Sequence, residues 1–336
     1  MLGFVGRVPD CEWPGWKPRT CSDWQCNRAR SDVRVHWRWI LSGKSRQIPF
    51  YPVQACANEG ETTRRWSVTS QTTSHSRTWS PVEVESVKPG DHPNAALHPL
   101  LFISGPRLGA WAFRKHFLPF FARQGFEVHA MTFPSDRASV EELCVDVELV
   151  AASLRQAPIL VGHAEGGFVA QACIQRNILP FPRLILLSSL PPSGLGILLL
   201  RKLLTEPYQF GRTLLQRVTT YHSPTPTAND AEDTGLASTS MWKKGMFCFV
   251  ALSKQRASLY GENVLVMGVS GSPMLDPISL SETAAWWETK PVILSGTSDD
   301  IMLDSEWNDA ASMIADWLHR AEAVDELIRW TRESMF

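Results

Sequence analysis

Pro158-Ile-Leu-Val-Gly-His-Ala-Glu-Gly-Gly167 sets a short apolar run against a glycine-rich turn that opens a helix. Ile159 to Val161 reads as a buried strand, Phe168 to Arg176 as the helix that leaves the turn, and Gly162, Gly166 and Gly167 supply the small residues such a sharp reversal requires. The residue at the apex is Ala164. Its methyl group has no chemistry of its own, so attention moves to its neighbours, His163 and Glu165, and to loops arriving from elsewhere in the chain.

Working outward, strand-like and helix-like segments alternate from Pro81 onward. Alternation of this kind predicts an α/β domain, a mainly parallel sheet with helices on both faces. Before the turn, Pro99 to Ser104 reads as a buried strand, Gly109 to Gln124 as an aromatic-rich helix and Phe126 to Phe133 as the next strand. Ser139 and Glu142 form a capping-box pattern, after which Val140, Leu143, Val147, Val150 and Leu154 share one helical face. After the turn, Leu184 to Leu187, Val264 to Val269 and Val292 to Leu294 read as strands. A second capping box at Ser279 and Glu282 is expected to open a helix through Ala284 to Trp287, and Glu306 to about Trp330 closes the chain as a helix. Between about 191 and 262 the alternation lapses into helical pieces such as Leu198 to Leu204 and a polar stretch from His222 to Ser240, the pattern of an inserted helical cap.

Residues 1–80 lack this order. Their tryptophans keep no steady period, and no acidic residue occurs from Thr62 to Val82, where Ser, Thr and arginines are dense as in an organelle transit segment. The expectation is an irregular or disordered N-terminal extension of 1–80, a possible targeting segment, followed by a domain over 81–336. Asp10 and Glu12 argue against a secretory signal.

With 336 residues and a formal charge of -1, the chain has a core-sized apolar content and no polyelectrolyte character, so nucleic acid is not an expected partner. Seven cysteines without paired spacing fit free thiols in a reducing, intracellular compartment better than a disulfide framework. Pro191, Pro192, Ser193 and Gly194 interrupt the longest apolar stretch, so it is not expected to span a membrane.

The order of elements, with the Gly-x-x-x-Gly turn in the middle and the insertion after the next strand, resembles the α/β-hydrolase superfamily, closest to lipase-like and esterase-like members, over roughly Pro99 to Leu318. In that family a serine stands at the apex of the turn, the nucleophile elbow, and an acid and then a histidine follow later in the chain. The resemblance places Ala164 at the nucleophile, Ser272 within Ser270-Gly-Ser-Pro273 at the acid, and Asp299 within Thr297-Ser-Asp-Asp300 at the base. Asp276 lies a little beyond the acid position, and His319, the only later histidine, lies deep in the closing helix. For the oxyanion region the resemblance points to the residue after Ser104-Gly105, here Pro106 with no N–H, and to the backbone N–H of Glu165. No catalytic residue is therefore expected.

The candidate pocket is Ser104, Gly105, Trp111, His163, Ala164, Glu165, Ser272, Met274 and Asp299. Ser104 and Ser272 either face a ligand or satisfy backbone groups in turns. Cys173 is expected in the core, and Asp299, Asp300 and Asp304 read better as a solvated loop than as a metal site. No cofactor or metal is implied. The expected function is a hydrolase-fold protein that has lost hydrolysis and binds a small hydrophobic molecule or a protein partner. The alternative is an active esterase, lipase or lyase with relocated groups. A purely structural role, with the cap and the tryptophan-rich extension as contact surface, is a further alternative.

Overall fold

The computed structural model describes residues 63–68, 79–89, 97–105, 108–208, 211, 247, 250–252, 257, 260–272, 275, 277–296 and 298–333. Within them eight strands form one sheet: β1 (Thr63–Val68), β2 (Val82–Val87), β3 (Leu100–Ile103), β4 (Val128–Thr132), β5 (Ile159–His163), β6 (Leu184–Leu187), β7 (Val264–Val269) and β8 (Pro291–Leu294). Their order is β1-β2-β4-β3-β5-β6-β7-β8. The β1–β2 and β2–β4 pairs are antiparallel, and every other pair is parallel. The helices are α1 (Trp111–Arg114), α2 (Phe117–Arg123), α3 (Val140–Ser153), α4 (Glu165–Arg176), α5 (Gly194–Thr205), α6 (Pro277–Trp286) and α7 (Trp307–Glu333).

Central strands that are apolar at every position have no solvent face to spare, and both faces are covered. Leu160, Leu184 and Leu186 meet α3, α4 and α5 on one side, while Ile159, Val161, Ile185 and Leu187 meet α1, α2 and α7 on the other. Phe102, Phe113, Phe117 and Phe121 fill the second face, all fully buried, with ring centroids 5.0–6.1 Å from Phe102. The α/β class and its helices on both faces are as the sequence predicts.

Several local expectations are corrected. The helix expected over Gly109 to Gln124 is two helices, broken at Lys115 and His116. Pro119 explains the break, because in a continuous helix it would remove the bond to the Lys115 carbonyl and clash with it. The helix expected to begin at a Ser279 capping box begins instead at Pro277, where proline suits the first helical position. Ser279 and Glu282 are spent on Arg201 of α5. The Ser139 cap holds: its Oγ accepts from Glu142 N (3.2 Å), and Glu142 reaches back to Ala138 N (2.7 Å).

Two strands were not foreseen. β2 alternates Val82 and Val84 with Glu83 and Glu85, and β1 lies inside the stretch expected to be irregular. β1 exposes Arg64 and Arg65 and presses Trp66 onto the sheet. Trp66 Nε1 donates to Ser86 Oγ (2.6 Å), which lies 2.6 Å from His129 Nδ1. The rest of residues 1–62, and the polar stretch from 222 to 240, lie outside the described residues. Where the insertion is described, it folds back on the domain: Leu252 N donates to Pro192 O (2.9 Å), and Phe247 meets Phe168 edge-on at 5.9 Å. Gly194, at φ 84°, leaves no room for a Cβ beside the Val250 carbonyl. No helix among the described residues is long and apolar enough to cross a membrane.

Burial pushes the His129 imidazole down to about 3, below its ordinary 6.5. A neutral imidazole accepting from Ser86 then contributes stability that is complete above pH 6.5 and is lost as pH falls toward 3, because the unfolded chain binds the extra proton. Melting temperature should fall across that interval, with a loss of a few kcal/mol at ~1.4 kcal/mol per unit. His129→Gln, which keeps an acceptor without a titration, should flatten the profile; an unchanged slope would remove His129 as its source.

Candidate functional site

The turn after β5 is built by backbone contact. A Cβ on Gly162 would stand 2.5 Å from Gly167 Cα, one on Gly166 2.5 Å from Ser104 O, and one on Gly167 2.5 Å from Ser189 Cβ. Glycine at these three places lets α4 start directly against β3, β5 and the loop after β6. Ala164, between them, is held at φ 51° and ψ -120°. That region is left by L-residues unless the surroundings impose it, at a cost of about 1–3 kcal/mol. The imposing bonds are Ala164 N to Leu187 O (3.2 Å) and Leu190 N to Ala164 O (3.1 Å).

His163 closes β5 and is almost fully buried. Its Nε2 donates to the backbone oxygen of Asp299 (3.0 Å) and lies 3.6 Å from Asp300 Oδ1. Its Nδ1 is buried and has no hydrogen-bond partner. The imidazole thus ties the segment after β8 to the elbow. Asp299 meets the elbow through its main chain.

Glu165, the first residue of α4, is only 7% exposed. Its carboxylate lies over Gly105, where an added Cβ would collide with Oε2. The two candidate serines both work as turn residues. Ser104 Oγ donates to Leu108 O, and Ser272 Oγ accepts from Leu275 N (2.7 Å). Ser270 N and Gly271 N bond Leu294 O and Gly296 O (2.9 Å each), which fastens the loop after β7 to the end of β8. Trp111 heads α1, half-buried, with its indole N–H buried and without a partner. Pro106, Met274 and Asp276 lie outside the described residues.

His319 is exposed, its ring 5.6 Å from that of Phe126, which lies just before β4 and so at the opposite end of the sheet from the elbow. Cys173 is buried beside Cys144, and burial pushes its thiol well up. Among the described residues no group of three His, Cys, Asp or Glu side chains is arranged to hold a metal ion.

Sequence reasoning passed over Ser188. It follows β6 at φ 41°, its N–H donates to Met267 O (2.8 Å), and its Oγ is buried without a partner. Since Leu187 and Leu190 both bond Ala164, Ser188 lies directly beside it. Its neighbour Ser189 is fixed by Gln171, whose Nε2 donates to Ser189 Oγ and Leu190 O (3.0 Å each), while Trp287 Nε1 donates to Gln171 Oε1 (2.9 Å). The only signal in the sequence is a pair of serines ending an apolar strand.

A family model described as the alpha/beta hydrolase family matches residues 100–331. Solved structures similar to this chain include a meta-cleavage product hydrolase from Pseudomonas fluorescens IP01, a serine-to-alanine mutant complexed with acetates, at 14% identity and TM-score 0.52 over 72% of this chain and 95% of that one. A carboxylesterase structure from the thaumarchaeon Nitrososphaera gargenis is similar at 13% identity and TM-score 0.54, covering 76% of this chain and 99% of that one. An esterase from Rhodococcus sp. ECU1013 has 13% identity and TM-score 0.51 over 77% of this chain and 99% of that one. At these identities the likeness is one of fold. No curated protein sequence matches the chain.

The geometry at Ala164 makes an unusual substitution favourable. Ala164→Gly should leave stability unchanged or raise it by about 1 kcal/mol in a denaturant melt, since relief of backbone strain offsets the added freedom of the unfolded chain. Ala170→Gly, inside α4, should cost about 1 kcal/mol or more. Equal losses at the two sites would show that Ala164 is not strained.

Proposed function

The chain belongs to the alpha/beta hydrolase family, and on that premise we propose that it no longer hydrolyses esters and instead binds a small hydrophobic molecule at the former reaction site. The observation that carries this reading is the pairing of a costly backbone conformation with an inert side chain: φ 51° and ψ -120° are retained at a residue ending in a methyl group. Strain of this kind serves an enzyme by projecting a nucleophile. Here it projects nothing that can attack a carbonyl.

The other stations support the same reading. Asp299 contributes a backbone oxygen to His163, and Ser272 hydrogen-bonds its own turn. No hydroxyl or thiol is hydrogen-bonded to the other ring nitrogen of His163, so no side chain is held against it as a nucleophile. Glycines and core are intact, so the scaffold around the site has been kept.

One observation favours a second reading, an active hydrolase or lyase with displaced groups. Ser188, whose hydroxyl is buried and without a partner, follows Leu187, whose main-chain oxygen bonds Ala164. It lacks a base held against it.

A fluorophosphonate probe and a panel of short and medium acyl esters separate the two. The expected result is no labelling and no turnover above buffer. Labelling that disappears in Ser188→Ala would establish the second reading and end the first. Ala164→Ser combined with Asp299→His should recover at most slight esterase activity, because an acid partner is still lacking and Pro106 has no N–H to donate. Ordinary esterase rates from that pair would refute the assignment of those two positions.

A further inference from the structure

The two outer strands of the sheet are built differently. β1 exposes Arg64 and Arg65, charges of the kind that guard an edge strand. β8, at the other end of the order, reads Pro291-Val-Ile-Leu294 and carries no charge; among the described residues it has β7 on one side and no strand on the other. Ile293 is 46% exposed, while Val292 and Leu294 are half-buried and pack on the core. An apolar outer strand without a guarding charge is a place where another strand adds.

The backbone says which strand fits. Leu294 O accepts from Ser270 N, so the peptide groups of Val292 and Leu294 turn toward β7, and alternation turns those of Pro291, Ile293 and Ser295 outward. Pro291 has no N–H to offer. When a second β8 lies antiparallel on this edge about a two-fold axis at Ile293, each offered donor finds an acceptor. The two Ile293 residues exchange N–H···O bonds, and each Ser295 N–H meets the carbonyl of the partner's Pro291. The same pairing sets the Ile293 side chains directly opposite one another, so each exposed apolar group is covered by its twin. Like charges stay apart: at ~3.4 Å per residue, the two exposed Lys290 residues lie about 20 Å from each other along the seam, beyond the ~8 Å over which exposed charges act.

We propose that β8 is the seam of a two-fold dimer, in which a second copy of this chain adds its own β8 antiparallel and the two sheets run on as one. The symmetry closes on itself, since each copy spends its uncharged edge and the edges left over are the arginine-bearing β1 strands. The seam is short, which places the dimer among small, reversible interfaces. It does not depend on the ligand-binding reading above.

The test is sedimentation of the full chain over roughly 1–100 µM, which should show conversion from monomer to dimer. Amide exchange over the same range should show Ile293 and Ser295 gaining protection as concentration rises, with Val292 and Leu294, already turned to β7, unchanged. Ile293→Lys, at a position exposed enough to accept it, sets two cations directly opposite each other and should raise the dissociation constant about tenfold or more. Leu327→Lys, a like change at an exposed leucine of α7, should leave that constant where it is. The exchange measurement on the unaltered chain decides the matter should the Ile293 variant not fold. A chain that stays monomeric throughout, bare or holding an extended peptide of another protein, would overturn the inference, as would a dimer that Leu327→Lys dissolves and Ile293→Lys does not.

Discussion

Everything at the elbow depends on how closely main chain can approach main chain. α4 begins so near the end of β3 that Gly166 stands against the carbonyls of Ile103 and Ser104, and so near the loop after β6 that Gly167 stands against Ser189. A helix docked that tightly fixes the strand–helix angle, and the angle fixes Ala164. The Gln171–Ser189–Trp287 hydrogen bonds then lock the loop beside it, from a helix, a loop and a residue just past α6. Bonds from Ser270 and Gly271 do the same for the loops after β7 and β8. Part of this framing is carried by backbone donors, whose geometry does not depend on side-chain identity.

The His163 tie shows the other half of that logic. In this fold the segment after the last strand must be brought to the elbow from far along the chain, and here the contact spans 136 residues. The ring that makes it belongs to the elbow, and the group that receives it is a main-chain oxygen. The loop is held there by an interaction that needs no titratable side chain from the loop itself.

How much of this could be read from the sequence follows from which forces are local. Leu184–Leu187 and Val264–Val269 match their predicted bounds because strands buried on both faces are unbroken apolar runs with sharp polar ends. The start of α3 is equally legible, since Ser139 and Glu142 satisfy backbone donors within one turn. β1 was missed because Arg64 and Arg65 blur the alternation and the strand exists through its pairing with β2. Pro119 signalled the break between α1 and α2, but aromatic periodicity outweighed it. Ser279 has the right spacing for a cap, yet Arg201, distant in sequence, claims it. At the site, the glycines and Ala164 were plain from spacing alone. The burial of Glu165 and the place of Ser188 were not, because both depend on partners brought together only by the parallel sheet.

The first strand has a consequence beyond this domain. Among the described residues it is an outer rung of the sheet, and an outer rung is where a further strand could add. Arg64 and Arg65 stand exposed there in succession, one after the other along the strand. Charged side chains along an outer strand oppose the addition of a further strand, one on each face of the sheet here, with Arg65 also paired to Glu85.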